Sequence, residues 1–272
     1  MIQGEKQKSP LSDREIEEAD DRSSTTAKVI HEAIRLEGTE ELERPASSIG
    51  WSGLAAGLTI SCSMLGQGIL QALLPDAAWR ELVSSFGYCT GFIFVTMGRQ
   101  QLFTETTLTA MLPVLHGTHG TSDVLRYWSI VFVANIFGTL LFAASLTIPG
   151  LFPPDVVRAF TELGTKAVEP GFLAVLIKAV FAGWLIALMV WLLPAASGSR
   201  FFVIIAVTWL IGVAHFSHVI AGSAETAFAA MHGAIGWQDY LLGFLLPAFL
   251  GNSIGGVVFV ALLNHAQVKA EV

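Results

Sequence analysis

From Ile49 to His265 the chain repeats long apolar runs, at roughly 49–74, 82–115, 127–149, 172–194, 201–232 and 241–265, and nothing else in it narrows the possible folds as far. A run of about 20 apolar residues matches the thickness of a bilayer's hydrocarbon core. Inside lipid the backbone must satisfy its own hydrogen bonds, so such runs become helices. Six of them predict an all-α membrane protein of six spans, with boundaries near 1–45 for an N-terminal tail, 46–266 for the transmembrane domain and 267–272 for a C-terminal tail. Composition agrees, since 53% of the 272 residues are hydrophobic and only 14% are charged. Cys62 and Cys89 both fall inside apolar runs and read as small buried residues, not as a disulfide framework or a zinc site.

Lys and Arg set the expected orientation. With the N-terminus inside, ten of them (among them Arg44, Arg126 and Arg200) fall on the cytoplasmic side, and three (Arg80, Arg158 and Lys166) fall outside. Both termini are therefore expected in the cytoplasm of a multi-pass protein of the cell inner membrane. No apolar stretch in the first 45 residues resembles a cleavable signal. The tail is expected to be disordered to about Ser23. The stretch STTAKVIHEAIRLEGTEELER then reads as a helix capped by Ser24 or Thr25, with Val29, Ile30, Ala33 and Ile34 on one face.

Two of the six runs are too long. A straight helix over 82–115 would reach about 50 Å at about 1.5 Å per residue, against a core of about 30 Å. Its middle holds GRQQLFTETT, and the equally long run 201–232 holds AHFSHVIAGSAE. Both read as two half-helices joined by irregular backbone, which survives at membrane depth only where protein or a water-lined cavity satisfies it. The interruptions fall in the second run of each three-run half. Span three carries ANIFG and span six GNSIGG, each an Asn-x-x-Gly, with Asn135 31 residues after Thr104 and Asn252 34 residues after His218. Three spans per half predict inverted repeats with the site at their interface. Gly53 and Gly57, like Gly251 and Gly255, sit four apart and read as helix contacts.

At these residues the chain resembles the formate/nitrite transporter family, and within it the YfdC-like branch. LFTETT (102–107) is similar to the family's segment opening the second half of span two. Phe216, Ser217 and His218 are similar to its Phe-x-His, and GNSIGG (251–256) to its span-six motif. The resemblance runs from about residue 28 onward. It implies an aquaporin-like fold, a homopentamer of separately conducting subunits, and passage of small monovalent acid anions such as formate, nitrite or hydrosulfide. It further implies that Leu102, Phe103 and Thr104 narrow the pore, that His218 is its central histidine, and that Tyr88, Phe92 and Ile211 constrict it. Lys166 matches an outer-vestibule lysine. The chain departs from the family at Gly183, where span four usually carries Asn, at Glu105, and at Arg99.

The chemistry of such a passage follows from the cost of stripping water from an anion. Half-helix N-termini offset that cost. So does a group that lets a weak acid cross wholly or partly neutral. Imidazole titrates near physiological pH, which suits His218, and Thr104 can hold the ring by a hydroxyl hydrogen bond. His215, on a similar face, is read as structural or vestibular. Glu105 is expected to pair with Arg99 or with backbone N–H groups, and Arg99 to serve as an anion funnel or as the lock on the loop. An enzyme is disfavoured, because His215-x-x-His218 with Glu225 misses H-E-x-x-H and lacks a convincing third ligand. No cofactor and no nucleic-acid partner is called for. A channel for a small neutral solute and a non-conducting membrane sensor or assembly protein stay open as alternatives.

Overall fold

The computed structural model describes residues 25–270 and, over them, helices and short connections. The reading of a disordered tail to Ser23, the candidate cap Ser24 and the last two residues lie outside that range. Helix α1 spans Ala27–Glu43, with Thr26 at the N-cap position, one residue after the expected cap Thr25. Its inward face is Ile30, His31, Ile34, Gly38 and Leu42. Val29 and Ala33, expected on that face, are exposed. The shift follows from packing: the helix lies on the first polar segment, where Gly38 fits against the Thr109 carbonyl and a side chain would collide.

The first run becomes α2 (Ala46–Ile60) and α3 (Cys62–Leu73). The second yields α4 (Arg80–Met97), α5 (Phe103–Thr109) and α6 (Met111–Leu115). The third is α7 (Thr121–Leu146) and the fourth α9 (Phe172–Leu192). The fifth yields α10 (Arg200–Val213) and α11 (Val219–Met231). The sixth has π-type turns at Asp239–Leu245 and Val257–Leu262 flanking α12 (Leu246–Gly256), and ends in α13 (Leu263–Ala270).

Four stretches are long and apolar enough to cross a membrane: Ala46–Leu73, Thr121–Leu146, Phe172–Leu192 and Asp239–Ala270. Large apolar side chains face outward all round, among them Trp51, Val133, Leu173 and Phe202. Such a surface suits lipid or neighbouring subunits and is wider than the apolar patch a soluble monomer exposes. The connection 150–171 holds a helix that the hydropathy reading passed over, α8 (Pro154–Val168). Pro154 opens it, and Val156, Ala159, Phe160, Leu163 and Gly164 form an apolar stripe at helical spacing. It packs on α3 and α11.

The halves of the chain pack alike. In the first, α2 lies along α7; in the second, α9 lies along α12. Each contact is close because a glycine allows it: a Cβ at Gly57 would strike the Asn135 backbone, and one at Gly183 the Asn252 backbone.

Candidate functional site

Helices α4 and α10 end in the same way. Arg99 N–H donates to the Thr96 carbonyl and Gln100 N–H to that of Val95, both at 3.1 Å; His215 N–H donates to Gly212 at 3.1 Å and Phe216 N–H to Ile211 at 3.0 Å. These are Schellman closures, whose left-handed position usually carries glycine. Here Arg99 (φ 51°) and His215 (φ 50°) fill it. Each also has an acid partner: Arg99 Nη2 lies 2.8 Å from Glu37 Oε1, and His215 Nε2 lies 3.1 Å from Glu81 Oε1. Glu105, expected beside Arg99, instead accepts from the Thr96 hydroxyl at 2.6 Å. The loop lock therefore reaches out to α1.

Three residues further on, a new helix starts on each side, and an asparagine from another helix holds it. Asn135 Oδ1 accepts from Phe103 N–H at 2.9 Å, while its Nδ2 donates to the Gly53 and Gln101 carbonyls at 2.7 and 2.9 Å. Asn252 Oδ1 accepts from Val219 N–H at 2.8 Å, and its Nδ2 donates to the Ala179 and Ser217 carbonyls at 2.7 and 2.9 Å. An extended residue between helices leaves donors and acceptors that buried backbone must pair; each amide side chain satisfies one of each, and its third bond goes to a carbonyl of a neighbouring helix. Gly183 belongs to this packing: it lets Asn252 come close enough to reach the Ala179 carbonyl.

The two starts meet at Thr104 and His218, whose Oγ1 and Nε2 are 2.7 Å apart and buried. His218 Nδ1 accepts from Ala221 N–H at 3.1 Å and so caps its own helix. The neutral ring then carries its proton on Nε2 and donates to Thr104. The Phe92 ring meets the imidazole edge-on with centroids 4.9 Å apart, and Tyr88 lies next to Phe92 at 5.2 Å.

A cavity approaches this junction from each side. One, of about 470 Å³ beneath α1, has Leu102, Arg99 and Glu105 in its wall, with Glu37, Glu41 and Arg200. The other, of about 320 Å³ beside α8, is lined by His218, Tyr88, Ile211, Phe216, Lys166 and His215, and also by Lys178 and Glu225. Most of the expected pathway residues thus gather around one axis. Like Thr104 and Phe92 between the cavities, Phe103 lines neither of them, but its ring turns away from the junction, stacking on Phe249 at 5.3 Å and meeting Trp128 and Phe132 edge-on. Both cavities carry mixed charge, the first with four carboxyls (Glu37, Glu40, Glu41, Glu105) and three guanidiniums (Arg44, Arg99, Arg200). Among the described residues, no three His, Cys, Asp or Glu side chains gather as a metal site.

Sequence reasoning did not find Glu37 and Glu81, which hold the two left-handed residues, nor Glu41. Half-buried Glu41 accepts from the Thr109 hydroxyl at 2.6 Å. Burial, partly offset by that hydrogen bond, raises its carboxyl to about 7. The available signal was the acidic run TEELE lying at helical spacing opposite a polar loop.

The fold recurs in known proteins. The formate/nitrite transporter family model matches residues 28–266. Inner membrane protein YfdC of Escherichia coli (strain K12) is 38% identical over 258 residues, covering 94% of this chain and 83% of that protein. Among solved structures, an FNT family ion channel superposes with a TM-score of 0.79 at 19% identity, over 88% of this chain and 98% of that one. A pentameric formate channel with formate bound does so with a TM-score of 0.71 at 19% identity, over 82% and 98%. The helices, their asparagine-held starts and this match across nearly the full chain place the protein: it belongs to the formate/nitrite transporter family.

Proposed function

We propose that the protein is an inner-membrane channel or transporter for small monovalent acid anions of the formate and nitrite type, assembled as a homopentamer with both termini in the cytoplasm. In this reading residues 46–266 form six spans in two inverted three-helix repeats of aquaporin-like plan. The second and fifth spans are interrupted at 98–102 and 214–218, and α1 belongs to the cytoplasmic tail. The matching Schellman closures and the two three-bond asparagines support the repeat. The pentamer draws support from the likeness to a pentameric formate channel and from the outward apolar surface.

The observation that carries the functional reading is the buried 2.7 Å contact between Thr104 and His218, with a cavity on either side. A bare anion cannot cross a stretch lined by Leu102, Phe92 and Tyr88 without large cost. With Nδ1 fixed as an acceptor, His218 offers its Nε2 proton along the axis, and Thr104 relays it through a hydroxyl that can both give and accept. A weak acid brings its own proton from the entry side and crosses as, or close to, its neutral form, steadied by hydrogen bonds from the Nε2–H and the Thr104 hydroxyl while the ring stays neutral. Arg99 and Lys166 draw the anion to the two mouths; His215 shapes one of them.

The test is flux of formate, nitrite, acetate and hydrosulfide into proteoliposomes across a pH series. His218→Asn is expected to lower flux and flatten its pH dependence. An H218N protein with wild-type flux and an unchanged pH profile removes the histidine from the mechanism.

A further inference from the structure

The α8-side cavity holds three buried side chains whose polar ends the reading above does not use: Gln67 on α3, Tyr88 on α4 and Glu225 on α11. They are 3%, 5% and 9% exposed. Among the described residues none of the three side chains has a hydrogen-bond or ion-pair partner, and their polar atoms reach the open space of the cavity. Buried amide, hydroxyl and carboxyl groups normally find partners within the protein. Three of them, from three helices, face one cavity without any. Close backbone contacts fix them there. A Cβ at Gly87 would strike the Gly66 and Gln67 backbone, and one at Gly164 the Glu225 carbonyl, so α3, α4 and α11 cannot roll to turn these groups elsewhere.

The charges around this cavity favour an anion. Lys166 of α8 and Lys178 of α9 stand in its wall, and neither comes within ion-pair distance of a carboxylate among the described residues. Glu169, at the end of α8, is exposed, and His215 is already held by Glu81 at 3.1 Å. Glu225 has no cation or donor beside it, so burial keeps it in the protonated form. In that form it is a donor, like the Tyr88 hydroxyl and the Gln67 amide. The amide brings two N–H groups, the hydroxyl and the acid one O–H each. A carboxylate or a nitrite presents two oxygens on one atom, with about four lone pairs in one plane, and matches such a set.

Resting on the channel reading, we propose that Gln67, Tyr88 and Glu225 form a holding site for a small planar anion with two oxygens on one atom, a carboxylate or nitrite. The lysines draw the anion in, and its oxygens exchange water for the three neutral donors. Tyr88 packs on Phe92 at 5.2 Å between ring centroids and Phe92 on His218 at 4.9 Å, so the site adjoins the barrier. A proton from the solution on that side completes the acid, which then moves on to His218. Neutral donors suit this task, because a solute in transit must be held firmly enough to enter and loosely enough to leave. Hydrosulfide carries its charge on one sulfur, a weak acceptor, and cannot engage the donors in the same way.

The test measures entry of formate, nitrite and hydrosulfide over a concentration series into proteoliposomes holding the full-length protein, with empty liposomes subtracted. Wild type is expected to half-saturate at lower concentrations of formate and nitrite than of hydrosulfide. Tyr88→Phe, which removes a single oxygen, and Glu225→Met should each raise the half-saturating formate and nitrite concentrations by about tenfold, the scale of one hydrogen bond to a charged group. Hydrosulfide should shift far less. E225Q, whose amide again offers a neutral donor, should restore most of what E225M loses. Half-saturation by formate that is unchanged in both Y88F and E225M overturns the site and leaves the channel reading standing. A rise shared equally by hydrosulfide marks a merely structural role and overturns the site too, as does an E225Q protein that loses as much as E225M. Wild type that passes none of the three anions overturns the channel reading and the site with it. Should E225M fail to assemble, Y88F alone decides.

Discussion

Replacing Asn252 by alanine removes three buried hydrogen bonds of 2.7–2.9 Å. Two of the groups left behind, Val219 N–H and the Ser217 carbonyl, have no other partner among the described residues. The third, the Ala179 carbonyl, keeps its place in the α9 helix. An orphaned buried group costs about 1–3 kcal/mol in soluble cores, while interhelical hydrogen bonds in membranes average about 0.6 kcal/mol. Two orphans and the small void left by the amide therefore place the loss between about 2 and 4 kcal/mol. N135A removes an equivalent set and should cost the same within about 1 kcal/mol. The variants separate on function: Asn252 fixes the start of the helix that His218 caps, so N252A should also change the pH profile of flux. Equilibrium unfolding in mixed micelles, paired with flux in proteoliposomes, measures both. An N252A protein within about 0.5 kcal/mol of wild type and with normal flux would refute the assignment of Asn252 as the anchor of this helix.

Gly183→Ala sets a methyl against the Asn252 backbone and is expected to destabilise by about 1–3 kcal/mol; unfolding midpoints check it. Arg99→Gly relaxes a left-handed residue and loses an exposed ion pair of small worth, whereas R99A loses the pair and keeps the strain. R99G should accordingly exceed R99A in stability by about 1 kcal/mol, and the reverse order would exclude strain at this site. Glu41, raised from 4.5 to about 7, binds its proton more tightly folded than unfolded. Its contribution to docking α1 is full below about pH 4.5 and fades as pH rises through about 7. Limited proteolysis of α1 should therefore increase over that window in wild type, and the increase should vanish in Glu41→Gln.

Much of this was legible because hydropathy and lipid leave few choices. The apolar runs located the helices within a few residues, and the polar clusters GRQQLFTETT and AHFSHVIAGSAE marked where regular structure stops. Thr104 and His218 could be paired because both lie just after such an interruption. What escaped notice depends on partners distant in sequence. Arg99 lies six residues from Glu105, yet its ion pair is with Glu37, 62 residues away, and spacing carries no sign of that. Phe103 has the composition of a pore constriction, but an aromatic ring next to Trp128 and Phe249 gains more by stacking than by facing a passage. The helix Pro154–Val168 is short and only half apolar, so a window tuned to membrane spans skips it although its apolar spacing is regular.

The amide of Asn135 fastens a helix within the first half of the chain, and that of Asn252 a helix within the second, whereas the Thr104–His218 contact joins one half to the other. The seam at the centre therefore rests on one bond between a threonine hydroxyl and an imidazole whose other nitrogen is held by Ala221 N–H. In the proposed pathway, a guest that takes over this bond loosens the crossing point and leaves the rivets on either side untouched, so the barrier parts and reseals without unwinding a helix.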